Sequence, residues 1–345
     1  MGRRIWVLAM GLLVLLVIAD AVVWRIAIGR LESGFDAWAL ASRASKVSVT
    51  RGKAVAGGWP FAATLQIGNV TIAGGPTLAP DGVGWYAPSV VLRVSPMHPR
   101  SMDIQVLGEQ HLRAAGMPDA VLTGARLIAV IGMGAGDQPG AIDILADQAK
   151  LASGRGWRVS AERLRVHVDM PPPGESVDGS KKFSFGAEGI SLPGSVIWPL
   201  GSTVARLDFD GTMEGPLPPA QPPAAWATAW RDGGGSLQLQ NLMLHWGPLS
   251  LTASATLALD DQLQPMGAGT SRVAGYAATL DALASSGALT RSAATAAKAV
   301  LSLLAGPPGE GDTDDVDVPL TLQYRTLSMR QVPLVRLPEL DWPGQ

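Results

Sequence analysis

The chain has 345 residues, a net charge of −2 from 27 basic and 29 acidic side chains, and no cysteine. This excludes a disulfide framework, thiol catalysis, cysteine-ligated zinc and an N-terminal lipid on cysteine, and the lack of a long basic block speaks against nucleic acid as a partner. With 47% hydrophobic and only 16% charged residues the chain is built to fold, and its 41 glycines and 26 prolines punctuate it as turns punctuate β-rich chains.

Residues 1–25 read as a membrane segment. Arg3 and Arg4 precede an apolar run from Ile5 to Val23, interrupted by Asp20 and closed by Trp24 and Arg25. As a helix this run is about 28 Å long at about 1.5 Å per residue, close to the roughly 30 Å hydrocarbon core. Trp6 and Trp24 fall at the two interfaces, and the arginine pair stays in the cytoplasm. The expectation is a single-pass anchor in the bacterial inner membrane, N-terminus cytoplasmic and bulk periplasmic. Ala19-Asp20-Ala21 also fits the small-x-small pattern of signal peptidase, so a cleaved signal is the alternative. Both readings export the remainder.

In residues 26–45, Ile28, Leu31, Phe35 and Trp38 share one helical face, while Glu32, Asp36 and Arg43 fall off it. This predicts a stem helix packed on its own domain, or else one lying on the bilayer surface. Residues 46–214 form a first β-rich part. Phe61, Ala63, Leu65 and Ile67 alternate with polar or small neighbours, and Val70 and Ile72 resume the pattern after Gly68 and Asn69. The outline recurs at Leu237, Leu239, Asn241, Leu242 and Leu244, and more loosely at 159–166, 183–192 and 322–329. Each copy reads as a strand, a brief interruption and a second strand with one apolar face.

Residues 215–235 read as a linker: a proline-rich run to Pro223, a short helix with Trp226 and Trp230 on one face, and Gly233 to Gly235. Residues 236–345 form a second β-rich part. Within it, alanine-rich helices over 276–304, broken near Gly287 and ended by Gly306-Pro307-Pro308, are expected to cover one face of the sheet. The predicted fold is mainly β with a few helices (α+β): an N-terminal transmembrane helix, then an extended curved antiparallel sheet partly covered by helices.

No chemistry stands out. His98, His111, His167 and His245 are far apart and lack metal-ligand spacing. Gly132, Gly134 and Gly136 imitate a dinucleotide loop, but Asp137 stands where the third glycine belongs. Asp312, Asp314, Asp315 and Asp317 fail the calcium-loop pattern at its sixth and twelfth positions and read as a solvated loop. The expectation is a protein that is not an enzyme, with no catalytic, cofactor-binding or metal residues.

The stretch 233–249 running into 256–267, with Leu259-Asp260-Asp261-Gln262-Leu263-Gln264-Pro265 at its centre, the opening Gly58-Trp59-Pro60-Phe61 and the close 332–338 resemble the bacterial domain of unknown function family DUF2125. That resemblance implies a membrane segment followed by a β-rich envelope domain, and carries no active-site residue. In outline only, the chain is also similar to AsmA-like envelope proteins, in which an anchor precedes a β-groove. The expected function is envelope maintenance, with a membrane lipid or other apolar ligand held in a groove lined by Leu65, Ile67, Leu237 and Leu239. A structural scaffold for other envelope proteins is the alternative. Trp59 and Trp246, at glycine- and proline-marked strand boundaries, are expected to be buried and to stabilise the domain.

Overall fold

A computed structural model describes residues 2–44, 46–74, 82–114, 118–134, 139–170, 180–216, 218, 222–305, 316–329 and 332–342. The N-terminal apolar run and the stem segment form one uninterrupted helix, α1 (Gly2–Ala44). Among its described side chains, Trp6 (77%), those from Met10 (69%) to Ile18 (58%), and Val22 and Val23 (57%) are exposed, and burial begins at Ile28 (2%). The helix then runs antiparallel to the first sheet edge. Trp24 Nε1 donates to the Gly57 carbonyl (3.1 Å), Arg51 grips both carboxylate oxygens of Asp36 (2.9 Å each), and Lys46 N donates to the Arg43 carbonyl (3.0 Å). Gly29 and Gly34 leave the helix unbroken because tertiary contacts outweigh their weak helix propensity.

Among the described residues, 18 strands form one antiparallel sheet. β1 (Val47–Thr50) and β2 (Ala54–Gly57) make the first edge and pair with β3 (Ala63–Gly74), which pairs with β4 (Val83–Ser95). β5 (His98–Leu107) and β6 (Gln110–Ala114) share the next line, then β7 (Ala120–Thr123) and β8 (Arg126–Met133) share another. β9 (Pro139–Ser153), β10 (Arg158–Asp169), β11 (Lys181–Ser191) and β12 (Thr203–Glu214) follow in order. The helix α2 (Pro223–Asp232) stands between β12 and β13 (Ser236–Trp246), yet those strands pair directly, so the ladder continues across the proline-rich segment. β14 (Leu249–Leu259) and β15 (Pro265–Ala274) come next. Two helices, α3 (Tyr276–Ser285) and α4 (Arg291–Ala305), precede β16 (Val316–Gln323), β17 (Thr326–Met329) and β18 (Val332–Arg336).

The recurring interruptions are breaks in alternation inside single long strands, not gaps between strands. Leu65 and Ile67 have odd numbers while Val70 and Ile72 have even ones, so strict alternation would turn the second pair to the opposite face. Asn69, at φ 50°, breaks the alternation and keeps all four on one side, and β4 changes parity opposite it, from Leu92 and Val90 to Ala87, so the register of the pair is unshifted. Gln148 (φ 51°) does this between Ala146 and Ala149, and Gly189 (φ 61°) between Ala187 and Ile190. In β13 the register skips between Leu239 and Leu242. Asn241 therefore matches Asn69 in position, though only Asn69 is left-handed. The copy at 322–329 is different: Tyr324 and Arg325 turn the β16–β17 hairpin. Bulges bend strands and raise their twist, and open sheets beyond about 10 strands curl.

These breaks, most of them matched on the neighbouring strand, give a sheet with one apolar face. One cross-strand row runs Leu65, Leu92, Ile104, Ala129, Ile144, Val166, Phe185, Phe209, Leu242, Ala253, Ser271 and Val318. The opposite face carries a row of alternating charge: Arg126, Asp147, Arg163, Glu188 and Arg206. Helices cover the apolar face at its two ends. Ile28 and Leu31 of α1 pack with Leu65, Ile67, Val70 and Val90, while Tyr276, Leu280 and Leu301 of α3 and α4 pack with Val316 and Val318.

Two sequence expectations fail at the β2–β3 loop. Phe61 is not part of the strand, which begins at Ala63, and its ring is 82% exposed. Trp59 is not buried either, at 48% exposure. The loop closes through Ala62 N donating to the Gly58 carbonyl (2.9 Å), which turns both rings outward from the core. By contrast, the Trp226–Trp230 pair forms as expected, with the rings stacked at 5.9 Å. Trp230 donates to the Glu214 carbonyl and lies directly over Gly235, where a Cβ would stand 2.3 Å from its ring.

Candidate functional site

Between its two covered ends the apolar face is open. Leu65 and Ile67 are 2% and 1% exposed under α1, whereas Ile144 in the same row as Leu65 is 43% exposed. Val166, Phe183, Phe185, Leu207, Phe209, Leu242 and Leu244 are all only partly buried. Phe209 stacks on Phe185 (5.0 Å) and meets the edge of Phe183 (6.0 Å), and Phe183 lies across Gly211, where a Cβ would come within 2.5 Å of the ring. The result is a floor of aromatic and aliphatic side chains from β8 to β13 that no helix covers among the described residues.

The floor has polar features at one margin. Trp85 Nε1 donates to Gln110 Oε1 (2.9 Å), which fixes the orientation of that amide. The other end of the amide, Gln110 Nε2, is buried without a partner among the described residues. Beyond β11 and β12, Trp198 and Trp246 meet at 6.0 Å, and Trp246 Nε1 donates to the Gly201 carbonyl (2.7 Å). Trp246 is partly exposed rather than buried, so it borders the apolar face instead of anchoring a core.

The conspicuous polar motifs of the chain turn out to build turns. Asp260 Oδ1 accepts from the backbone of Gln262 (2.9 Å) and Gln264 (2.8 Å), closing the β14–β15 connection. Gln264 then holds Leu340 through two hydrogen bonds, and Trp342 Nε1 donates to the Leu263 carbonyl (2.9 Å). Beside this turn, a cleft of about 590 Å³ is lined by Arg231, Asp260, Asp261 and Tyr324 among others. Its arginine already donates to the Asp260 and Asp261 carbonyls.

A family model described as an uncharacterised protein conserved in bacteria, DUF2125, matches residues 24–338. The chain belongs to this family. Comparison with curated proteins finds no match. The DUF2125 match begins at Trp24, the residue through which α1 bonds to the sheet. Its turn motifs explain why membership is legible without any catalytic signature: in this DUF2125 chain they terminate strands.

The residues named from the sequence for a groove divide between two roles. Leu65 and Ile67 belong to the closed core, whereas Leu237 and Leu239 lie partly exposed on the same face, far across the sheet. The central floor at Ile142, Ile144, Leu207 and Phe209 was missed. Its signal is the apolar–polar–apolar triplet, as in Ile142-Asp143-Ile144 and Leu207-Asp208-Phe209. Gly136, Asp137, Asp312, Asp314, Asp315 and Gly306-Pro307-Pro308 lie outside the described residues. Asp317 pairs across the outer face with Arg272 (2.9 Å).

The four histidines stay apart. His98 is exposed at the start of β5, His111 lies 5.8 Å from Tyr86, and His245 sits on the outer face of β13. His167 alone is held, between Asp143 (2.7 Å from Nδ1) and Asp169 (3.1 Å from Nε2). Hydrogen bonding to Asp143 raises its pKa above the ordinary histidine value, with Asp169 adding to the effect. Because the folded pKa lies above the unfolded one, the added stability is full below about pH 6.5. It fades as pH rises through the folded pKa. Asp143→Asn is expected to lower the His167 midpoint in an NMR titration and to flatten this dependence. An unmoved midpoint would show that the pair does not form.

Proposed function

We propose that this DUF2125 protein is a non-enzymatic, inner-membrane-anchored periplasmic protein. It serves the envelope by holding the acyl part of a lipid on its open apolar floor. The supporting observation is the contrast along one row: the ends are covered by helices and the centre, from Ile144 to Leu242, is not. Leaving such a surface to water is unfavourable at roughly 25 cal/mol per Å², and contiguous apolar patches of this kind mark binding surfaces. Six neighbouring strand lines at about 4.8 Å spacing make the floor about 24 Å across. An acyl chain spans roughly 15 Å in one leaflet of a 30 Å hydrocarbon core, so the floor is wide enough to hold one. The anchor keeps the floor beside its ligand's source: α1 holds a stretch of mean hydropathy 2.3.

The test uses two adjacent positions on opposite faces. A photoreactive benzoylphenylalanine replaces Phe185 on the floor or Ser184 on the charged face, in the full chain inside cells. After irradiation, intact mass spectrometry is expected to show a lipid-sized adduct at 185 and none at 184. A protein adduct at 185 would favour the envelope scaffold, and equal labelling at both positions would overturn the lipid reading.

A further inference from the structure

The end of the sheet where α1 joins it carries a cluster of exposed apolar side chains that the lipid floor does not use. Trp24, which follows directly on the apolar run ending at Val23, bonds to Gly57 at the end of β2. The registers Gly57↔Thr64 and Ala63↔Val94 place the β2–β3 loop and the β4–β5 turn at this same end. These two connections present Trp59 (48% exposed), Phe61 (82%) and Met97 (82%). Arg25, next to Trp24, and Arg100, at the start of β5 just after that turn, are exposed as well.

We propose that this end is a membrane-facing rim: Trp59, Phe61 and Met97 enter the headgroup layer of the bilayer that α1 crosses, with Arg25 and Arg100 beside anionic headgroups. The inference rests on the anchor reading. Its occupant follows from continuity, because a helix that leaves the hydrocarbon near Val23 brings residues bonded to Trp24 to the interface. The chemistry matches that layer. Tryptophan prefers it for its apolar body and polar N–H, large apolar side chains reach just below it, and basic groups meet phosphates above it. The rim also fixes the orientation of the domain. α1 and the rim are separate contacts with one bilayer, so the sheet stands on its β2–β3 end instead of swinging about a single tether.

The natural chain has no cysteine, so single nitroxide labels report individual positions. Full-length Phe61→Cys, Met97→Cys, Ile197→Cys and Leu16→Cys variants are labelled and reconstituted in phosphatidylethanolamine–phosphatidylglycerol vesicles. All four side chains are exposed, so labelling leaves the core intact. Ile197, 88% exposed, lies in the β11–β12 connection at the opposite end of the sheet. Collision rates with oxygen and with a water-soluble nickel chelate then give depth. The oxygen-to-nickel ratio is expected to be severalfold higher at 61 and 97 than at 197, and highest at 16. If 16 reports hydrocarbon while 61 and 97 match 197, the rim proposal is overturned and the anchor stands. If 16 is also water-exposed, both are overturned.

Discussion

Leu65→Ala is expected to destabilise the domain by about 2–5 kcal/mol, the usual cost of emptying a well-packed leucine site. Leu65 is 2% exposed, packed with Ile28 and Leu31 of α1, Ile67 and Leu92. Such a loss removes a large part of a domain's roughly 5–15 kcal/mol. Ile144→Ala, in the same cross-strand row, is expected to cost less than about 1 kcal/mol, because a side chain 43% exposed leaves little cavity behind. Thermal unfolding of both full-length variants in the same detergent measures the contrast. Equal losses would mean that the centre of the sheet is as closed as its end, and the floor could not then receive a ligand.

Phe209→Asp combined with Leu242→Asp is expected to empty the floor while leaving the sheet folded. The two residues are cross-strand partners at the centre of the row, so the change sets two carboxylates side by side where an acyl chain would rest. A carboxylate desolvated under hydrocarbon is strongly unfavourable unless paired, and about 1.4 kcal/mol already amounts to tenfold in occupancy. Lipid recovered from the purified protein should fall at least tenfold by mass spectrometry. Both positions are partly open to water, so the unfolding midpoint should move far less than in Leu65→Ala. Unchanged lipid content in a folded double variant would place the ligand elsewhere.

How each segment was read depended on the kind of signal it carried. The apolar run before Trp24, the stem stripe at Ile28 and Leu31, the period-two strands and the alanine-rich helices all follow from local periodicity. Parity also marks Asn69: the switch from Leu65 and Ile67 to Val70 and Ile72 requires a break in alternation inside one strand, where the local pattern suggests a gap between two. Trp59 and Phe61 misled because large rings beside glycine and proline resemble a strand end, and loop closure alone turns them outward.

The sequence by itself determined the β-rich class, an N-terminal apolar helix long enough to cross a membrane, the family and the absence of a familiar catalytic motif, because each rests on residue types and short spacings. Only the tertiary structure decided which apolar residues are core and which are floor. Leu65 and Ile144 are both aliphatic side chains in the same cross-strand row, and what separates them is whether a helix from elsewhere in the chain lies over them. Burial is a property of that long-range packing, so periodicity reveals that a face is apolar but not what covers it.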